Sequence, residues 1–164
     1  MAPLITLISV ALLLGCAGAL GVRSLRPWRV PLRGGLAAMF VLTGVVHFVF
    51  MRDELIAMVP PQLPAPGLLV TVTGVLELAG AAGLLWGRTA PWAAGGLTLL
   101  LIAMFPANVY AALEGQSAMA SDSLLARTLL QVLFVAATLA VVVEHVRRRN
   151  RDSREDDHIG RDTP

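Results

Sequence analysis

Five long apolar stretches dominate the pattern of the chain, and short polar or proline-rich segments separate them. They cover residues 3–22, 34–51, 66–87, 91–113 and 124–143. About twenty apolar residues are enough for an α-helix to cross the hydrocarbon core of a bilayer, at roughly 1.5 Å rise per residue. The pattern therefore predicts an all-α protein, a transmembrane helical bundle that crosses the membrane five times.

The segment between the second and third stretches is apolar but contains signals against helix. Four prolines fall within residues 60–66. Because proline lacks a backbone N–H and clashes with the preceding turn, no continuous helix is expected there. We expect the segment to lie in the outer membrane interface as a hydrophobic hook over the bundle.

Composition agrees with a membrane protein, and the positions of the basic residues predict its orientation. The chain is 56% hydrophobic, with a mean hydropathy of +0.72. All 13 basic residues are arginine, and five alternating helices would put eleven of them on one side of the membrane. By the positive-inside rule that side is cytoplasmic, with the N-terminus outside and the C-terminus inside.

The last residues, 144–164, carry charges of both signs, and we expect a disordered cytoplasmic tail. The tail has several acidic residues and no aromatic residue that could stack on a base. A nucleic-acid partner is therefore not expected, whereas the lipid bilayer is.

Five polar side chains within the apolar stretches are the candidate ligand-binding residues. Glu77 is the most informative, because an acid near the bilayer midplane costs several kcal/mol unless it is partnered or protonated. Arg127 is the expected ion-pair partner. The full set consists of His47, Glu77, Asn108, Arg127 and Gln131. Helical spacing puts Gly74, Gly80 and Ala81 on the face of Glu77, so this face is expected to turn inward.

Each of these residues also has a structural interpretation. Arg127 could extend toward the outer surface, and His47 could be a satisfied structural histidine. Asn108 and Gln131 could be hydrogen-bonding glue between helices. Pro106 removes a helix hydrogen bond and could free a carbonyl near the cluster. The functional interpretation depends on the convergence of the five.

Several chemistries are excluded by the residues present. Cys16 is the single cysteine, so the chain has no cysteine redox pair. His47 and His145 fall at opposite ends of the bundle, which excludes a bis-histidine haem. One histidine and one glutamate do not form a zinc site, and no metal site is predicted.

An ordered set of motifs resembles the DoxX-like family of membrane proteins. The resemblance covers roughly residues 34–143. The motifs are Gly44-Val45-Val46-His47-Phe48, Met58 to Pro66, Thr73 to Gly80, Phe105 to Tyr110 and Arg127 to Gln131. It implies a four-helix core in the bacterial inner membrane at 34–143, preceded by an extra helix and basic loop at 1–33 and followed by the charged tail.

Three hypotheses for function remain open. In the first, a polar pocket in the outer half binds a quinone-like or other polar-headed molecule, in a subunit linked to a membrane oxidoreductase complex, as the resemblance implies. In the second, the protein is a non-catalytic accessory or scaffold subunit whose polar cluster only fixes helix packing. The third is a small-molecule transporter. Whether the protein is itself an enzyme is left open.

Overall fold

The computed structural model describes residues 1–113 and 124–159, and over this part of the chain the protein is helical and without strands. The helices are α1 (Ala2–Ala19), α2 (Arg29–Val46), α3 (Arg52–Ala57), α4 (Pro66–Leu85), α5 (Ala90–Leu113) and α6 (Leu124–Ile159), with a short 3-10 helix at Arg23–Leu25. All but α3 are long and apolar enough to cross a membrane. The predicted all-α bundle with five membrane-length helices is confirmed.

The long helices alternate in direction, as contacts at the two ends of the bundle show. At one end, Arg33 at the start of α2 donates through Nε to the carbonyl oxygen of Leu84 near the end of α4, over 2.7 Å. At the same end, Arg29 Nε lies 3.9 Å from Glu144 Oε1 of α6. We call this the arginine-rich end. The opposite end contains the start of α1, the end of α2 and a cavity.

Helices α2, α4, α5 and α6 form the bundle, and α1 packs against α2 on its outside. The bundle core contains Phe40, Leu36, Met39, Leu84 and Leu97, all with almost no exposed surface. A buried hydrogen bond of 2.8 Å from the Thr98 hydroxyl to the Thr138 hydroxyl joins α5 to α6. Such hydrogen bonds and small-residue contacts associate helices in membranes, where lipid tails are as apolar as the helix surfaces.

Helix α2 begins five residues earlier than the apolar stretch predicted. It starts at Arg29, so Arg29 and Arg33 lie within the helix. Pro31 does not prevent this, because the N–H groups of the first helical turn have no partner within the helix. Both arginines have polar partners at the end of the bundle, because Arg33 donates to the carbonyl of Leu84 and Arg29 lies near the carboxylate of Glu144.

The hook, residues 52–65, contains the short helix α3 followed by turns. As predicted, no continuous helix crosses the prolines. Arg52 holds the hook in place: its guanidinium donates to the carbonyls of His47 (3.3 Å) and Gly67 (3.2 Å) and to the hydroxyl of Thr71 (3.0 Å). The hook is thereby tied to the end of α2 and the start of α4.

The charged tail differs from the expectation of disorder after residue 143. Helix α6 continues to Ile159, well beyond the apolar stretch that ends at residue 143. No glycine or proline interrupts residues 124–159. Opposite charges one turn apart also support the extension: Arg148 Nε lies 3.3 Å from Glu144 Oε1. Residues 160–164 of the predicted tail lie outside the described residues.

Candidate ligand-binding site

Glu77 faces the inside of the bundle, as its helical neighbours predicted. Its relative exposure is 4%. The buried residues of α4 recur at intervals of three or four, which is the period of one helix face: Val70, Gly74, Glu77, Ala81 and Leu84. The only charged side chain of α4 therefore points at the packed helices and not at the lipid.

Two glycines bring α2 and α4 close together beside this acid. A Cβ atom on Gly44 would lie 2.8 Å from Cγ of Leu78, and one on Gly74 would lie 2.7 Å from Cβ of His47. Real Cβ atoms essentially never approach other atoms so closely. The absence of both side chains therefore allows the helix crossing that sets His47 next to α4.

His47 follows the last residue of α2 and is almost fully buried, at 4% exposure. Its Nδ1 lies 2.8 Å from the carbonyl oxygen of Thr43. A carbonyl can only accept, so Nδ1 carries a proton, and Nε2 of the neutral ring is the atom able to take one up. The ring is near enough to Glu77 for the two groups to interact electrostatically.

Asn108 and Gln131 join α5 to α6. The amide Nδ2 of Asn108 donates to Oε1 of Gln131 over 3.2 Å. The amide Nε2 of Gln131 donates to the backbone carbonyl of Leu101. Pro106 was expected to free a carbonyl beside the cluster. It lacks the N–H that would donate to the carbonyl of Ile102, whereas Gln131 donates to the carbonyl of Leu101, one residue earlier.

These side chains surround one cavity of about 440 Å³, which we call the polar cavity. Four of the five predicted residues line it: His47, Glu77, Asn108 and Gln131. Most of the remaining wall is apolar, from residues such as Phe40, Met104 and Phe134, and the start of α1 closes one side. A mostly apolar cavity with a few converging polar groups is typical of small-molecule sites, and its volume falls in their usual range.

One oxygen of the Glu77 carboxyl, Oε2, is buried without a hydrogen-bond partner within the described part of the chain. Buried polar atoms are nearly always hydrogen-bonded, because leaving one unpaired costs about 1–3 kcal/mol. Because Glu77 also lines the polar cavity, a bound molecule or a proton that reached this oxygen would be stabilised.

Arg127 does not join the other four predicted residues on the wall of the polar cavity. Over residues 1–113 and 124–159, the ion pairs join Glu144 to Arg29 and Arg148, and none joins Glu77 to Arg127. Arg127 takes part in another interaction and is not on the wall of the polar cavity. The expected ion pair between Glu77 and Arg127 is thus absent from the part of the chain that the structure describes.

Thr43 is a member of the site that sequence reasoning missed. Its side chain faces Glu77 and lines the polar cavity. The signal was present, since Thr43 precedes His47 by one helical turn and so shares its face. A small hydroxyl in an apolar helix is common, however, because it can bond within its own helix, as Thr43 does with the carbonyl of Met39.

The described residues contain no group of three or more histidine, cysteine, aspartate or glutamate side chains that could hold a metal ion. The polar side chains that the described residues contribute to the cavity are instead one acid, one imidazole, one hydroxyl and two amides. They are suited to hydrogen bonding and proton exchange with a small molecule.

Fold and cavity together define an integral membrane helical protein with several membrane-spanning helices. Residues 36–142 match the model of a family described as a domain of unknown function, DUF8561. The match covers more than half of the chain, which therefore belongs to this family. Comparison with curated proteins and with solved structures gave no match.

Proposed function

We propose that the polar cavity binds a small molecule with a polar, hydrogen-bonding head group of the quinone type. The observation that carries the proposal is the Glu77 carboxyl, which lines the polar cavity and has one buried oxygen, Oε2, without a hydrogen-bond partner among the described residues. A protonated Glu77 would donate a hydrogen bond to a ligand carbonyl, and an ionised one would accept from a ligand hydroxyl. The quinone and the quinol can therefore each form a hydrogen bond with the same oxygen of Glu77.

The other polar residues have complementary roles in this proposal. The amide of Asn108 contacts a carbonyl oxygen of the head group. His47 and Glu77 exchange protons with the ligand, because Nε2 of the histidine and Oε2 of the acid are the sites able to accept them. Gln131 orients Asn108 through their hydrogen bond.

The resemblance to DoxX-like proteins supports a setting for this binding. We propose that the chain is a subunit in the bacterial inner membrane, next to a membrane oxidoreductase. Reduction of a quinone consumes two electrons and two protons, and in this arrangement the partner supplies the electrons. The protons would pass through the residues of the polar cavity.

The test compares molecules that copurify with the full-length protein from native membranes. Wild type, Glu77→Gln and Glu144→Gln are extracted in parallel, and bound small molecules are measured by mass spectrometry. Glu144→Gln is the matched control, because it makes the same acid-to-amide change away from the polar cavity. The amide of Glu77→Gln can still form hydrogen bonds but cannot carry charge. Hydrogen bonds to charged groups are worth roughly 1–1.5 kcal/mol more than neutral ones, so we expect about tenfold depletion in Glu77→Gln alone.

Equal recovery of every small molecule from all three proteins would contradict the proposal. A second assay titrates the purified proteins in nanodiscs with a dimethoxy-methyl-benzoquinone, a head group without a chain. We expect saturable binding to wild type and to Glu144→Gln, with about tenfold weaker binding to Glu77→Gln.

One observation favours the scaffold hypothesis as a second candidate. Asn108, Gln131 and the Leu101 carbonyl form a hydrogen-bonded link between α5 and α6. If fixing the helices is the function, Gln131→Met should reduce recovery of partner proteins in a pull-down from native membranes. The benzoquinone titration would then give no saturable binding to wild type.

A further inference from the structure

A second cavity of about 210 Å³ adjoins the polar cavity and lies under the hook. We call it the hook chamber. Its walls come from Met58, Val59 and Leu63 of the hook and from the facing surfaces of α4 and α5. Four residues line both cavities, so these share a wall: His47, Leu55, Met104 and Asn108.

The hook chamber is apolar away from the shared wall. Thr73 is the other polar residue on its surface, and its hydroxyl already donates to the carbonyl of Leu69 in its own helix, over 2.9 Å. Among the described residues, the polar side chains of this chamber left for a ligand are therefore those of His47 and Asn108, where the two cavities meet. The two cavities therefore differ in character: the polar cavity, on one side of the shared wall, offers hydrogen-bonding groups, and the hook chamber, on the other side, is apolar.

The hook covers this chamber and is joined to the bundle at its two ends. Arg52 supplies its hydrogen bonds to the His47 carbonyl, Gly67 and Thr71. At its other end Ala65 has φ 51° and ψ 61°, a left-handed conformation that costs a residue with a Cβ of order 1 kcal/mol or more. The strained residue directly precedes Pro66, which starts α4.

From this arrangement we propose that the ligand is amphipathic and has a single flexible apolar chain, such as an alkyl or isoprenoid chain. Its polar head occupies the polar cavity, and its chain passes His47 and Asn108 into the hook chamber. This inference rests on the proposed function, because the head group is the part that Glu77 binds. It adds the class of ligand and assigns the hook chamber as the site of the chain.

The test uses two probes that share a head group: the dimethoxy-methyl-benzoquinone and the same ring with a decyl chain. Each is titrated into purified full-length protein in nanodiscs. Because the decyl chain also partitions into lipid, each probe is compared between protein variants and not with the other probe. Ala107→Phe fills the hook chamber, since Ala107 lines this chamber but not the polar cavity. Ala79→Phe is the matched control on the exposed surface of α4.

We expect Ala107→Phe to weaken binding of the decyl compound about tenfold and to leave binding of the bare ring unchanged. Ala79→Phe should change neither. If the ring binds wild type while Ala107→Phe leaves decyl binding unchanged, or weakens both probes equally, the inference is overturned and the proposed function stands. If the ring does not bind wild type, both are overturned.

A second measurement does not depend on the folding of a variant. A decyl-benzoquinone with a photoreactive diazirine at the end of its chain is irradiated with wild-type protein, and the modified residues are located by mass spectrometry. We expect modification of Met58, Val59 or Leu63, suppressed by excess unlabelled decyl compound. Modification confined to lipid-facing residues, and unaffected by the competitor, would overturn the inference.

Discussion

Glu77 carries a buried oxygen that has no hydrogen-bond partner within residues 1–113 and 124–159, so its contribution to folding should be unfavourable. Replacing such a group by an apolar side chain of similar size removes the cost of leaving it unpaired. We predict that Glu77→Met raises the free energy of unfolding by about 1–3 kcal/mol. Reversible unfolding of the purified, ligand-free protein in mixed micelles, followed by circular dichroism, measures the change.

The matched control for this measurement is Glu144→Met. The carboxyl of Glu144 lies near Arg29 and Arg148 and is partly exposed, so its loss should cost no more than about 1 kcal/mol. Lower stability of Glu77→Met would show that the acid holds the bundle together, as the scaffold hypothesis requires. The stability comparison thus separates a residue kept for ligand binding from one kept for packing.

The sequence predicted which side of α4 carries Glu77, but not what lies opposite the carboxyl. Gly74 and Ala81, one turn before and after it, identify an inward face by helical spacing alone. The position of Arg127 relative to that face depends on how far α6 is shifted along its axis against α4. Packing between helices determines that shift, and the residue pattern of a single helix carries no information about it.

At the level of whole helices, the crossing of α2 and α4 determines where His47 stands. We predict that Gly74→Ala lowers the free energy of unfolding by about 1–3 kcal/mol, because its methyl group would meet Cβ of His47. The measurement is again unfolding in mixed micelles. Binding of the benzoquinone should weaken as well, since His47 must move away from the polar cavity.

Gly96→Ala is the control for this substitution. A Cβ at Gly96 would have no atom within 4 Å, and the residue is exposed on α5. Alanine is intrinsically favoured over glycine in a helix, so the variant should be unchanged or slightly more stable. Equal effects of the two substitutions would show that close approach at Gly74 is not needed.

Arg52 should stabilise the hook without stabilising the rest of the bundle. Its three hydrogen bonds all connect the start of α3 to α2 and α4. We predict that Arg52→Met increases amide hydrogen exchange across residues 52–65 about tenfold or more, while exchange in α5 remains unchanged. Mass spectrometry of the exchanged peptides measures both regions in one experiment.

The exposed Arg88, in the turn between α4 and α5, is a suitable control, and Arg88→Met should leave exchange in the hook unaffected. If Arg52→Met also has no effect on the hook, apolar packing and not the guanidinium holds it in place.

The prolines predicted a break in the helix here, because a missing N–H acts within its own segment. The hydrogen bonds of Arg52 reach residues fifteen and nineteen positions away, and no local pattern could have indicated them.

For the molecule as a whole, length and apolar content determined the number of membrane-length helices, whereas charged boundaries were harder to place. Residues 29–33 were predicted as part of a basic loop and residues 144–159 as part of a disordered charged tail, but both segments are helical. Charge disfavours the membrane interior, but it does not disfavour helix, and arginine has good helix propensity. The pattern therefore located the apolar spans and underestimated how far two helices continue beyond them.

The distribution of arginine between the two ends predicts the orientation of the molecule in the membrane. The contacts of Arg29 and Arg33 gather the ends of α2, α4 and α6 at the arginine-rich end, and the hook lies at the other. Arginines close to the ends of membrane helices are retained on the cytoplasmic side. We predict that the hook faces outward and the extension of α6 faces the cytoplasm.

Single introduced cysteines test this orientation in intact bacterial cells, because Cys16 is the chain's one native cysteine and Cys16→Ser provides a background without thiols. A membrane-impermeant maleimide should label Gln62→Cys, in the hook, in intact cells. Ser153→Cys, in the extension of α6, should be labelled only after the membrane is permeabilised. The reverse pattern would place the arginine-rich end outside and contradict the charge argument. It would also reverse the proton access of the proposed site, because His47 lies at the hook end of α2 and would then exchange protons with the cytoplasm.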